Sequence, residues 1–177
     1  MLKTLDSVAW DEIYHAYGVA SDIPEIVRKL LSKDENSRAD AILELWECIN
    51  HQGSIYEASP YVIPFLYELI DSDGVDDKSE IAGLIATIID GYPVDGKEEK
   101  SPIKQRVITE ARKDLSLLLK YLRDKNFNTR LDIARALGNI YELSDELTPV
   151  IDDALVNEKN DLVKNALKEA KTRLSDI

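Results

Sequence analysis

One cysteine, two histidines and seven glycines are all that this chain of 177 residues holds of three chemically telling residue types. Each shortage excludes a class of protein. Cys48 stands alone in "AILELWECI", so no intramolecular disulfide can form and a reduced, cytoplasmic setting is expected. His15 and His51 are not at His-x-x-x-His spacing and no Cys-x-x-Cys accompanies them, so neither a metal nor any other cofactor is expected. The glycines form no phosphate loop, no Gly-x-Gly-x-x-Gly and no Gly-x-Ser-x-Gly elbow. No apolar run reaches the length of a membrane span. The stretch "MLKTLDSVAWDEIYHAYG" carries acids without the apolar core a signal peptide needs.

Positive charge is short as well. Lys+Arg is 22 against 34 for Asp+Glu, a net charge of -12. Such a surface repels phosphate backbones and anionic headgroups, so nucleic acid and membrane are poor partners and a basic protein is the better one. The same acidity also serves solubility.

What the chain does have is repetition. "SKDENSRADAILEL" (Ser32–Leu45) and "DKNFNTRLDIARAL" (Asp124–Leu137) share, in register, Lys33/Lys125, Asn36/Asn128, Ser37/Thr129, Arg38/Arg130, Asp40/Asp132 and Leu45/Leu137. A second anchor is "IPEIVRKL" (Ile23–Leu30) against "IPFLYELI" (Ile63–Ile70), with "TPVIDDAL" (Thr148–Leu155) as a weaker copy. One step links Pro24 to Arg38, Pro64 to Lys78, Ser116 to Arg130 and Pro149 to Val163. Four αα-hairpins follow, with approximate units 1–51, 52–92, 103–142 and 146–177 and a Gly/Pro-rich loop over 90–102. All lie in a single domain, 1–177. First helices are predicted over Ile23–Leu31, Pro60–Ile70, Ile103–Leu122 and Leu147–Val156. Second helices are predicted over Asn36–Ile49, Asp77–Ile89, Thr129–Tyr141 and Asp161–Leu174. The second helices of the first three units carry apolar stripes, such as Ile42, Leu45, Trp46 and Ile49, that one hairpin cannot bury alone. The expected fold is therefore an all-α, right-handed α-solenoid without any sheet.

The segments "WDEIYHAYGVASDIPEIVRKL" and "ELWECINHQGSIYEASPYVIPFLYEL" resemble small stand-alone bacterial HEAT-like helical repeat proteins of the PBS-lyase type. The detailed likeness runs from Trp10 to about Ile70. The resemblance implies a binding module rather than an enzyme, and some such proteins act as immunity proteins against toxins. It also implies that second helices line the concave face. On that face an acidic strip is expected to hold a basic partner, possibly a cognate toxin such as a nuclease. The strip comprises Asp40, Glu44, Glu47, Asp71, Asp73, Asp76, Asp77, Glu80 and Asp132; ordinary solvated faces explain the same residues. Tyr56, Tyr61, Tyr92 and Tyr141 are candidate aromatic anchors, with Tyr56 placed in the partner site. A general adaptor binding a peptide or protein is the alternative, and a lyase-type enzyme subunit a remote one.

"NHQGSIYEASP" contains a histidine and a serine but reads as a joint. His51 closes one helix, Gly53 makes a left-handed stop, Ser54-x-x-Glu57 forms a capping box, and Ser59 caps the next helix ahead of Pro60. Arg38 and Arg130 are expected to tie neighbouring repeats together, and no residue is assigned a catalytic role.

Overall fold

The computed structural model describes residues 1–97 and 100–176. It is mostly helical, 67%, with nine α-helices among the described residues. In order these are α1 (Ile23–Lys29), α2 (Glu35–Ile49), α3 (Ser59–Asp71), α4 (Lys78–Asp90), α5 (Pro102–Lys113), α6 (Leu115–Leu119), α7 (Phe127–Leu137), α8 (Ser144–Asn157) and α9 (Asp161–Ser175).

The absence of sheet is corrected. β1 (Tyr14–His15) pairs antiparallel with β2 (Gly18–Val19). β3 (Asn50–His51) pairs antiparallel with β4 (Ser54–Ile55), and β4 pairs parallel with β5 (Tyr92–Pro93). The β3–β4 link is the two-residue turn Gln52-Gly53 with φ of 51 and 83, the doubly left-handed geometry that lets tight hairpins match strand twist. The predicted left-handed Gly53 is therefore present, but it turns a hairpin instead of ending a helix. Ser54 consequently sits in β4 and starts no capping box. Ser59 accepts from the Tyr56 amide at 2.8 Å and donates to the Ile49 carbonyl at 2.6 Å, so it stitches α2 to α3, and Ala58 holds the cap position of α3.

Three second helices start on local polar caps. Asp34, Asn126 and Asn160 accept from backbone amides of α2, α7 and α9. Arg38 and Arg130 each stand four residues beyond such a cap. In the second unit Lys78 directly follows the cap Asp77, so the common step fails there. The expected helix Ile103–Leu122 is broken at Asp114, whose φ/ψ of -127 and 29 is not helical. The buried Tyr67 hydroxyl takes the Ala111 carbonyl at 2.8 Å, the acceptor a continuous helix would offer to Leu115.

Helices α1–α2, α3–α4 and α8–α9 pack as adjacent pairs, while α2–α4, α4–α7, α7–α9 and α3–α5 pack between units. The aliphatic residues of all these interfaces join one buried core. Two arginines clamp the joints. Arg38 Nε donates to Asp77, and its Nη1 donates to the Ser32 carbonyl at 3.1 Å. Arg130 forks onto Glu158 at 2.7 and 3.0 Å and bonds the Asp124 carbonyl at 2.7 Å. Between them, Ser79 donates to Asp124 at 3.1 Å and meets Thr129 at 2.9 Å.

Candidate functional site

Helix α2 buries Arg38, Ala41, Leu45, Cys48 and Ile49. The predicted stripe named Ile42 and Trp46 as core with them. That is corrected: Ile42 is only half-buried, and Trp46 is 45% and Leu43 52% exposed. Ala39, Ile42, Leu43 and Trp46 form a second apolar stripe at i, i+3, i+4, i+7, in which Ile42 packs against the edge of the core while Ala39, Leu43 and Trp46 stay exposed. They face Leu84 of α4 across a cavity of about 320 Å³ that Glu80, Thr87 and Asp132 edge. Gly83 keeps the α4 wall low, since a Cβ there would meet only Asp132 Oδ2, at 3.7 Å. The signal for this groove was present in the sequence: α2 has more apolar surface than one core face needs.

The groove runs into a smaller cavity of about 160 Å³ that shares Trp46, Thr87 and Asp132 with it and adds Asn50, Asp90 and Arg135. Asn50 is 3% exposed, and among the described residues its Oδ1 has no hydrogen-bond partner. Asp90 accepts from Asn139 Nδ2 at 3.0 Å. Arg135 Nη1 stays 3.9 Å from Asp132. Burial pushes the Asp132 carboxyl up to about 6, against the pull of Arg135 and with a further push from Asp90.

The predicted acidic strip separates into groups. Glu80 and Asp132 edge the groove. Asp40, Glu44 and Glu47 lie exposed on α2 beside the exposed apolar stripe, with Glu44 3.8 Å from Lys29. Asp71 and Asp73 are exposed at the α3–α4 turn. Asp77 binds Arg38, and Asp76 lies 3.8 Å from it, so both face a joint. Tyr56 lines a different cavity with Tyr14, Val94 and Ile103. Tyr61 is half-buried under the Arg106 guanidinium, 3.8 Å from the ring centre, and Tyr92 is exposed at the rim of the polar cavity.

Two histidine hairpins stack beside the α2 terminus. The Tyr17 hydroxyl meets His51 Nδ1 at 3.1 Å, with the rings 5.3 Å apart and edge-on. His15, Asp22 and Cys48 offer ligand atoms within 4.8 Å of one another, the one such cluster among the described residues. Its geometry is that of a joint. His15 Nδ1 accepts the Tyr17 amide at 3.0 Å, which places the ring proton on Nε2, 2.9 Å from Asp22. Neither nitrogen then presents a free lone pair. Burial pushes the Cys48 thiol up to about 12, with Asp22, Glu44 and Glu47 adding repulsion, so it is no thiolate at neutral pH.

No helix among the described residues is long and apolar enough to cross a membrane. Comparison with protein-family models, with curated proteins and with solved structures finds no match for this chain.

Proposed function

We propose that the chain is a non-enzymatic protein-binding module, a right-handed α-solenoid of about four HEAT-like hairpins, whose groove across α2, α4 and α7 holds an apolar, basic segment of a partner protein. The observation that carries this reading is the uncovered Trp46 and Leu43, which face Leu84 over an open apolar cavity edged by Glu80 and Asp132. A Trp centre with an acidic rim suits an anchor residue flanked by cations. The solenoid arrangement is supported by second helices that pack in succession, α2 on α4, α4 on α7 and α7 on α9, and by the arginine clamps between units. The net charge of -12 favours a basic partner, and inhibition of a cognate toxin is the narrower form of the proposal.

Photo-crosslinking tests it. A crosslinker at Leu43 should capture a basic protein in the native host, and the capture should be lost when Gly83→Leu fills the groove. Capture from a crosslinker at Asp73 but not at Leu43 would move the interface to the α3–α4 turn and overturn the groove. Capture at Leu43 unchanged by Gly83→Leu would overturn it too.

A further inference from the structure

The polar end of the groove is more specific than its apolar part. Asn50 is buried at the α2 terminus, its side-chain oxygen has no hydrogen-bond partner among the described residues, and the cavity it lines is also lined by two carboxylates, Asp90 and Asp132, and one guanidinium, Arg135. The Lys104 ammonium also lies near Asp90, but its hydrogen bonds go to the Ile89 and Gly91 carbonyls at 2.5 and 2.9 Å, so the carboxylate oxygens lining the cavity keep acceptor capacity. Every acceptor in this set can take a further donor: an amide oxygen, and carboxylates that Asn139 meets at 3.0 Å and Arg135 approaches to 3.9 Å. The exposed Trp46 borders both cavities. A buried oxygen left unpaired is costly, so an occupant that donates to it gains more than a surface contact does.

We propose that this end is a socket for the guanidinium of an arginine carried by the segment bound in the groove; the proposal deepens the groove reading and rests on it. An arginine fits where a lysine does not. Its planar fork supplies donors in several directions at once, toward Asn50, Asp90 and Asp132, while its face stacks on Trp46. An ammonium is a compact point charge without a stacking face, and a neutral donor adds no positive charge opposite Asp90 and Asp132. The ligand is thus a segment with an apolar anchor in the larger cavity and an arginine beside it in the smaller one.

The test uses small probes on the intact chain, followed by ¹⁵N NMR. N-acetyl-arginine methylamide should give saturable shifts at the Asn50 side-chain amide and the Trp46 indole N–H. The citrulline analogue, which keeps the shape without the charge, should bind about tenfold more weakly or less. Asp132→Asn should weaken arginine about tenfold, whereas Arg135→Gln, at an exposed site, should tighten it. Because those two variants move in opposite directions, misfolding of one cannot imitate the result. Equal binding of citrulline, binding of N-acetyl-lysine methylamide as tight as arginine, or shifts confined to residues outside the cavity would overturn the socket. N-acetyl-leucine methylamide separates the two levels. If it shifts Leu43 and Leu84 while arginine leaves Asn50 unmoved, the groove stands and the socket falls. If neither probe is seen, both fall.

Discussion

At Glu158 and Asp132 two carboxylates depart from their ordinary behaviour in opposite directions. The fork from Arg130, joined by the Asn160 and Lys159 amides, holds Glu158 at about 2, below its ordinary 4.5, although burial opposes this. A depressed carboxylate contributes stability above the unfolded value, and that contribution is lost as pH falls from 4.5 towards 2. Arg130→Ala should cost about 1–3 kcal/mol at pH 7, as two charge-assisted bonds are removed, and should flatten the acid limb in that window. Urea midpoints measured across pH 2–7 check it, and an unchanged acid limb would contradict the pairing. Asp132 runs the other way, from 3.8 up to about 6. Between those values the folded chain holds a proton that the unfolded chain has released, so stability falls as pH rises from 3.8 to 6. The charged form therefore destabilises the free protein at neutral pH. Asp132→Asn should raise stability at pH 7 by about 1–3 kcal/mol, with the gain vanishing near pH 4. Its facing charges are Arg135 on its own helix and Asp90 and Glu80 on α4. A stabilising loss at a groove residue is the pattern expected of a site kept for binding.

Helix α4 contrasts two glycines. Gly83 lies in the helix interior with open groove above it, and Gly91 follows the helix end where a Cβ would come within 2.5 Å of Ile55 Cγ2 and 3.3 Å of the Gly53 and Ile88 carbonyls. Gly83→Ala should stabilise by about 0.5–1 kcal/mol, because it restricts the unfolded chain and meets no obstacle. Gly91→Ala should destabilise by about 1–3 kcal/mol, because a strand, a hairpin turn and a helix end converge there. Denaturant melts of the pair decide this, and equal signs would mean the α4–β4 contact is looser than described. The Lys104 ammonium adds to that convergence. It donates to the Ile89 and Gly91 carbonyls at 2.5 and 2.9 Å, a cation at the negative end of α4. Burial there pulls Lys104 down to about 8.

For the molecule as a whole, the surplus of 34 acids over 22 bases would set how the proposed basic partner arrives. Long-range attraction acts mainly on the association rate, so added salt should slow capture of a basic partner while its departure changes little. Glu80→Lys should reduce association further than Asp73→Lys, since Glu80 edges the groove and Asp73 lies on a turn. Stopped-flow association at two salt concentrations reads both effects, and equal slowing by the two variants would detach the charge effect from the groove. Much of this molecule was legible from the chain alone. The helical class and the places of Arg38 and Arg130 follow from residues within a turn of one another, because amphipathic periodicity is local, whereas the caps are Asp34 and Asn126 and not the Ser37 and Thr129 that the shared pattern suggests. The hairpins at His15 and His51 were not read, although Gln52-Gly53 is a turn of the hairpin kind; two-residue strands have no periodicity to detect. Trp46 was read as core because a wheel shows that a stripe is apolar and not whether a neighbour covers it. Coverage depends on how closely α4 and α7 approach α2. The same distance decides that Asp77 meets Arg38, that Asp132 sinks beside Asp90, and that the Asn50 side-chain oxygen is buried with no hydrogen-bond partner among the described residues. Those relations join residues far apart in the chain, and only packing brings them together.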